Sequence, residues 1–336
     1  MKWAHCPFLR FARDCKGFRR ECPLHYPSMS AALTPSRSTE VDLERLSRVM
    51  CAVAIDDRDR HVFAHALALA RRSDAQLLVV HAASPEIAFN RGATERVDFL
   101  RKLRSMAERA GVDVRVTVQQ GLVAEIILLH ARARNADLIV LGTGRKESRR
   151  GLSRWIAEQV LRDAPCPTLV VPQASDAPAL VENILCAVDF SPASQAVVRE
   201  AVRLSKYGKQ PVTLLHVVDG AGSSHHVHSA RLSTNEFNHG LGAEALAKLQ
   251  ALIPQPDQGA VVARVAVGRP VTEMLRAARN TKAQLIVIGA ARRSRIGSRL
   301  FGKTGQLLRD ARCPVLAVPV AAVANQVTGG VLKQAA

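Results

Sequence analysis

The sequence predicts an α/β protein that contains two tandem copies of one domain, each built on a parallel sheet of five strands. Hydrophobic residues make up 48% of the chain but aromatic residues only 4%. The apolar content is therefore mainly Ala, Val, Leu and Ile, which is typical of parallel strands buried between helices. Within each copy, short apolar runs alternate with longer segments of helical periodicity, which indicates βαβ units.

An internal repeat defines the two copies. Ala136–Gly142 (ADLIVLG) recurs 147 residues later as Ala283–Gly289 (AQLIVIG), and Arg162–Pro172 (RDAPCPTLVVP) recurs at the same offset as Arg309–Pro319 (RDARCPVLAVP). Self-similarity of this kind marks a duplicated structural unit. The predicted organisation is an N-terminal extension (1–46), copy one (47–174), copy two (180–322) and a flexible tail (323–336).

Apolar runs and turn residues place the elements of each copy. Copy two predicts strands at 183–189, 211–218, 260–266, 284–289 and 314–319, and helices at 192–206, 241–252, 270–280 and 302–311. Copy one predicts strands near 49–55, 76–81, 113–118, 137–142 and 167–171. Both final strands are apolar and bounded by proline, so we expect them to pair across a pseudo-two-fold axis, because exposed edges would invite aggregation.

The order and spacing of these segments resemble the universal stress protein family. The resemblance rests on ILCAVDFS at 184–191, LHVV at 215–218, Gly268 ahead of a helix, a strand that ends at Gly289, and CPVLAVP at 313–319. The family implies a doubly wound sheet like that of the adenine nucleotide alpha hydrolases. It also implies pairing of two domains through their last strands, which these two copies could form within one chain. A further homodimer is left open.

The resemblance also implies a nucleotide site after strand four. ATP-binding members carry Gly-x-x-Gly-x9-Gly-Ser/Thr there, since glycines let the backbone approach phosphate and the next helix N-terminus donates amides. Copy two keeps Gly289 and Gly302 at the right distance. Arg292 replaces the middle glycine, Lys303 replaces the hydroxyl residue, and Thr304 comes one place late.

Two further positions complete the predicted site of copy two. Asp189 ends strand one, where nucleotide-binding relatives face the nucleoside, and Val217 matches a position near the base. The loops after strand four are rich in Arg and Lys in both copies. These cations are either a solvated basic rim or groups that bind phosphate.

Copy one departs further from the family pattern. Gly142 is present, but Arg145 stands at the middle glycine, Trp155 at the third glycine and Ile156 at the hydroxyl position. Ala54 stands where copy two has Asp189. We therefore expect copy one to act as a scaffold that has lost the nucleotide site.

These observations predict a cytoplasmic stress-response protein that binds or senses an adenine nucleotide, with ATP as the candidate, through copy two. A stress adaptor that acts through protein contacts and a weak ATPase are the alternatives. No catalytic motif such as Gly-x-Ser-x-Gly or a Walker loop occurs, so we do not predict a dedicated enzyme.

The charge and apolar patterns limit the partners. The net charge of +18 attracts anions, but aromatic residues for base stacking are scarce, so no specific nucleic acid is predicted. No stretch approaches the roughly 20 apolar residues of a membrane span, so no membrane is predicted.

The N-terminal extension carries a weak metal-binding pattern. Cys6, Cys15, Cys22 and His25 offer the four ligands of a tetrahedral zinc site, but two of their spacings differ by one residue from the CCCH zinc finger. A segment rich in Arg, Cys, Pro and His is also typical of an overextended reading frame, with Met29 as the alternative start. We therefore predict no metal site, and expect residues 1–46 to be disordered or to precede the true start.

Overall fold

The structure is a computed structural model, and it describes the following residues: 46–54, 59–83, 93–143, 152–173, 175, 183–191, 194–205, 211–219, 234–291 and 299–320. All of them belong to one unit, Thr39–Ala336. The extension up to residue 45 and the tail 323–336 lie outside the described residues. The zinc candidates Cys6, Cys15, Cys22 and His25 lie there too, so the expectations about these segments stay predictions.

Strands and helices alternate along both copies. Copy one contains β1 (Arg48–Ala52), α1 (Arg60–Arg72), β2 (Gln76–Ala83), α2 (Ala93–Arg109), β3 (Val114–Gln120), α3 (Val123–Ala133), β4 (Leu138–Gly142), α4 (Leu152–Asp163) and β5 (Thr168–Val171). Copy two contains β6 (Ile184–Val188), α5 (Ser194–Ser205), β7 (Val212–Asp219), α6 (Thr234–Ala251), a 3₁₀ helix (Gln255–Ala260), β8 (Val261–Gly268), α7 (Pro270–Asn280), β9 (Leu285–Ala291), α8 (Arg299–Asp310) and β10 (Val315–Val320).

The predicted strands occur within a few residues of their expected bounds, but one helix is longer than predicted. We expected a helix at 241–252, and α6 begins at Thr234. Its first turns read TNEFNHG, a polar stretch with a single apolar residue. Because helical periodicity is detected through recurring apolar residues, this part of the helix gives no signal in the sequence.

The ten strands of the described residues lie in one sheet of order β3-β2-β1-β4-β5-β10-β9-β6-β7-β8. Within each copy the neighbouring strands are parallel. The chain starts each copy in the middle of its sheet and winds first to one side and then to the other. The expected doubly wound, five-stranded parallel sheet is therefore confirmed in both copies.

The two sheets join through their last strands, as expected. β5 and β10 are antiparallel, and Leu169 is the register partner of Leu316. These two leucines occupy the same position in the repeat, 147 residues apart. A residue that pairs with its own counterpart lies on the symmetry axis. The pseudo-two-fold axis therefore passes through the Leu169–Leu316 pair, and the pairing removes two sheet edges.

Helices cover both faces of the sheet. The first layer contains α1, α2, α5 and α6, with buried residues such as Phe63, Leu103 and Leu249. The second layer contains α3, α4, α7 and α8, with Ile127 and Leu307 among its buried residues. Each layer extends over both copies. Within the described part of the chain, no helix has the length and apolar character needed to cross a membrane.

Candidate functional site

Three strands of copy two bring the predicted site residues to one edge of the sheet. Ala187 on β6 pairs with Ile288 on β9, and Val188 pairs with His216 on β7. In this register Asp189 is level with Val217 and Gly289 is level with Val188, so the three predicted residues lie close together near the carboxyl ends of these strands. Between β6 and β9 the chain reverses its winding direction, and such switch points are where open α/β sheets bind ligands.

Asp189 is held by the turn that leads into α5. Its Oδ1 accepts hydrogen bonds from the Ser191 amide (3.0 Å) and from the Ser194 hydroxyl (3.3 Å). Burial by itself would raise the pKa of Asp189, but the hydrogen bonds from Ser191 and Ser194 outweigh it and lower the pKa. The carboxylate is therefore ionised at neutral pH.

Phe190, the next residue, was not singled out from the sequence. Its φ of 59° lies in the left-handed region, which is uncommon for a bulky side chain. Its ring packs on the ring of His216, with the two centroids 4.0 Å apart. Strained backbone of this kind persists where the surrounding packing holds it. No local sequence signal marks a left-handed Phe, because the residue type itself disfavours that conformation.

A histidine at the end of strand two has a structural role in both copies. Nδ1 of His216 donates to the Val188 carbonyl at 2.9 Å, and Nδ1 of His81 donates to the Val53 carbonyl at the same distance. Because a carbonyl only accepts, the bonded Nδ1 carries the proton. Each histidine thus ties strand two to the end of strand one.

The start of α8 lies on the same side of the sheet as Val217. Val217 is partly buried in the second helix layer, to which α8 also belongs. Gly302 lies in the first turn of α8, where the positive end of the helix dipole favours anions. Lys303 is exposed and Thr304 is partly buried. Arg292, the remaining predicted residue, lies outside the described residues.

Lys303 forms an ion pair that the sequence did not reveal. Its Nζ lies 3.3 Å from Oδ2 of Asp219, the last residue of β7, and both side chains are about half exposed (49% and 44%). Asp219 follows Val217 by two residues, so both point to the same face of the sheet. The pair therefore bridges the start of α8 and the end of β7 beside the predicted site.

The model of the Universal stress protein family matches the chain twice, over residues 46–172 and 181–319. The chain belongs to the universal stress protein family. It is 32% identical over 120 residues to a universal stress protein of Methanocaldococcus jannaschii, and the alignment covers 32% of this chain and 71% of that relative.

Solved structures of family members show the same fold over both copies. The universal stress protein from Archaeoglobus fulgidus superposes with a TM-score of 0.59 at 15% identity, and the match covers 85% of this chain and 99% of that one. A putative universal stress protein from Pseudomonas aeruginosa gives the same TM-score and identity, with 82% and 94% covered. At this identity the likeness concerns the fold alone.

Copy one of this universal stress protein forms the equivalent turn in another way. Ala54 replaces Asp189, and its amide donates to Oδ2 of Asp59 at 2.7 Å. Asp59 directly precedes α1. The ion pair beside the site also lacks a counterpart, because in the sequence the positions equivalent to Asp219 and Lys303 are Ser84 and Ile156. Copy one therefore lacks the carboxylates and the cation that copy two has at these positions.

The described cysteines behave as buried apolar residues. Burial raises the pKa of Cys166 to about 12 and that of Cys313 to about 11, and it raises the pKa of Cys51 and Cys186 as well. Thiols that stay protonated are poor nucleophiles and poor metal ligands. In the described ranges, no three His, Cys, Asp or Glu side chains are grouped so as to hold a metal ion.

Proposed function

We propose that this universal stress protein is a cytoplasmic stress-response protein that binds an adenine nucleotide, with ATP as the candidate, through copy two. The observation that supports this most directly is the Asp189 carboxylate. It is ionised, it lies at the switch point of the sheet, and its hydrogen bonds from the Ser191 amide and the Ser194 hydroxyl both use Oδ1. An ionised carboxylate at this place can accept hydrogen bonds from the hydroxyls of a ribose.

The other residues have roles that follow from their places. Val217 lines the base side of the site from within the second helix layer. Gly289 lies on β9 beside Asp189 and leaves room for a phosphate near the backbone. Gly302, Lys303 and Thr304 lie at the start of α8, where helix amides and the lysine charge attract phosphate.

Calorimetric titration of ATP into three versions of the chain tests the proposal. Asp189→Asn keeps an oxygen that can accept from Ser191 and Ser194, so the turn is preserved while the charge is lost. We expect wild type to bind one ATP per chain and Asp189→Asn to bind about 10- to 100-fold more weakly, the loss of a charged hydrogen-bond acceptor. Asp59→Asn is the matched control in copy one, and we expect it to bind as wild type does. Equal binding by all three would mean that the site lies elsewhere.

Titration of ATP into an Arg292→Gly variant extends the same experiment. If the guanidinium of Arg292 clamps a phosphate, Arg292→Gly weakens ATP binding by a comparable factor. If its side chain fills the space that glycine leaves open in the family pattern, the same substitution creates or strengthens binding. Failure of every version to bind ATP, ADP or adenosine would refute nucleotide binding and would favour the adaptor that acts through protein contacts.

A further inference from the structure

The two copies meet at one position where the repeat is not symmetric. Helices α4 and α8 pack against each other next to the β5–β10 pair. Gly305 is buried in the middle of α8, and a Cβ atom at this residue would overlap Oε1 of Glu158 on α4 and lie 3.0 Å from its Cδ. The Glu158 side chain therefore rests directly on the backbone of α8.

Glu158 and Gly305 are counterparts in the repeat. They are 147 residues apart, which is also the offset between Leu169 and Leu316 on the pseudo-two-fold axis. Two counterparts that contact each other across a two-fold axis lie close to that axis. In a pair of identical domains, the residue at such a position would contact the same residue of the other domain.

Pairs of identical domains would fit poorly at this point. If copy one of one molecule paired with copy one of another, two Glu158 carboxylates would come together. Like charges at short distance repel each other. If copy two of one molecule paired with copy two of another, Gly305 would face a second Gly305 and leave a gap. Such a gap also destabilises packing. Only the pairing of copy one with copy two places a large residue against a small one.

The two contact helices are alike beyond this position. After the contact position, α4 continues as QVLRD (159–163) and α8 as QLLRD (306–310). Glycine inside a helix is also less favourable than alanine. Glycine at position 305 is therefore unfavourable for the helix itself, and any other side chain there would have to displace the Glu158 carboxylate.

We propose that the contact surface formed by α4 and β5 accepts only the surface formed by α8 and β10, and that the Glu158–Gly305 contact enforces this choice. Copy one therefore pairs with a copy two, and copy two pairs with a copy one. The tandem pair is heterotypic, and neither surface accepts a second surface of its own type.

Exchange of the two residues across the axis tests the proposal in the full chain. We expect Gly305→Glu to lower the melting temperature by about 5 °C or more, since it places two carboxylates in the space of one. Gly305→Gln separates size from charge, and we expect it to retain most of this loss. Glu158→Gly leaves a gap and should lower the melting temperature less. The double variant Glu158→Gly/Gly305→Glu restores one large and one small residue, and should melt close to wild type.

Gln306→Glu is the matched control, because Gln306 is exposed and adjacent to the contact. It adds the same carboxylate to α8 away from α4, and we expect an unchanged melting temperature. If Gly305→Glu does not fold, folding of the double variant supports the proposal. A Gly305→Glu protein as stable as wild type, or a double variant no more stable than Gly305→Glu, would overturn it.

Discussion

Both copies stabilise the turn between strand one and the following helix with a carboxylate, but the two carboxylates come from opposite ends of that turn. In copy two, Asp189 at the strand end accepts from Ser191 and Ser194 ahead of and within α5. In copy one, Asp59 at the helix start accepts from the amide of Ala54 at the strand end. The turn after strand one thus uses a carboxylate in both copies, which comes from the strand end in copy two and from the helix start in copy one. A copy can therefore have alanine in place of the Asp189 carboxylate and keep its fold.

The copies also differ in the pair beside that position. Copy two has Asp219 and Lys303, whereas the equivalent positions of copy one are Ser84 and Ile156. Neither of these residues is charged, and Ile156 packs against the second helix layer. Copy one, which has Ala54 in place of Asp189, therefore has no counterpart of the charged pair either.

The largest expected difference between the copies concerns two equivalent glycines. Gly121 and Gly268 have φ values of 150° and 148°, which L residues rarely adopt. A Cβ would lie 3.1 Å from Cδ1 of the buried Ile126 at Gly121, and 3.1 Å from Cγ of Glu273 at Gly268. We expect Gly121→Ala to lower the free energy of unfolding by about 3 kcal/mol and Gly268→Ala by about 1–2 kcal/mol, because the Glu273 side chain can move aside.

Urea denaturation of the two alanine variants measures this difference. Equal losses would show that backbone strain alone sets the cost. A larger loss for Gly268→Ala would contradict the assignment of Ile126 as the more rigid neighbour.

A smaller effect is expected from the ion pair that only copy two has. Asp219→Asn removes the carboxylate that attracts Lys303, so the lysine becomes available to phosphate. We expect ATP to bind about 2- to 5-fold more tightly, the range typical of an exposed pair, while adenosine binding stays the same. Glu244→Gln, which breaks the exposed Glu244–Lys248 pair on α6, is the control. Equal gains for ATP and adenosine would show that Asp219 does not act through phosphate.

The smallest expected effect concerns pH and copy one. Burial lowers the pKa of His81, Arg96 adds to this, and the bond to the Val53 carbonyl opposes it. The unfolded chain therefore takes up the proton first as the pH falls. The stability that this histidine contributes is complete above about pH 6.5, and it is lost as the pH falls through the folded-state pKa.

His81→Gln removes this titration and retains a donor for the Val53 carbonyl. Between pH 7 and pH 5, we expect the urea midpoint of wild type to fall more steeply than that of His81→Gln. Parallel pH profiles would show that the histidine is not protonated differently in the folded and unfolded states.

The fold was predictable because its signals are local. The apolar runs of β4 and β9 and their flanking turns occur twice, and a repeated pattern that suits a buried parallel strand leaves few alternatives. The pairing of β5 with β10 followed from the cost of exposing two apolar edges. The early start of α6 could not be predicted, because its first turns carry almost no apolar residues.

The candidate site was predictable only in part. The resemblance to the family selected Asp189, Gly289 and Val217, and the structure brings these three residues together on neighbouring strands. Their part in binding a nucleotide stays a prediction. Asp219 was missed because its partner Lys303 is 84 residues away, and no spacing rule connects them. Arg292, Cys6, Cys15, Cys22 and His25 lie outside the described residues, so their roles stay predictions.

The sequence by itself determined that this chain contains two copies of one α/β domain and that their apolar last strands meet, because hydrophobic burial acts on short runs whose period is visible in the chain. The universal stress protein family was identified from the resemblance of its motifs. Only the tertiary structure showed that Phe190 has a left-handed backbone conformation and packs its ring on His216. The contact of Glu158 with Gly305 was likewise visible only there. Those contacts join residues that are distant in sequence, and their geometry depends on how the helices pack on the sheet. Such packing is decided by the shapes of many side chains at once, and no single motif encodes it.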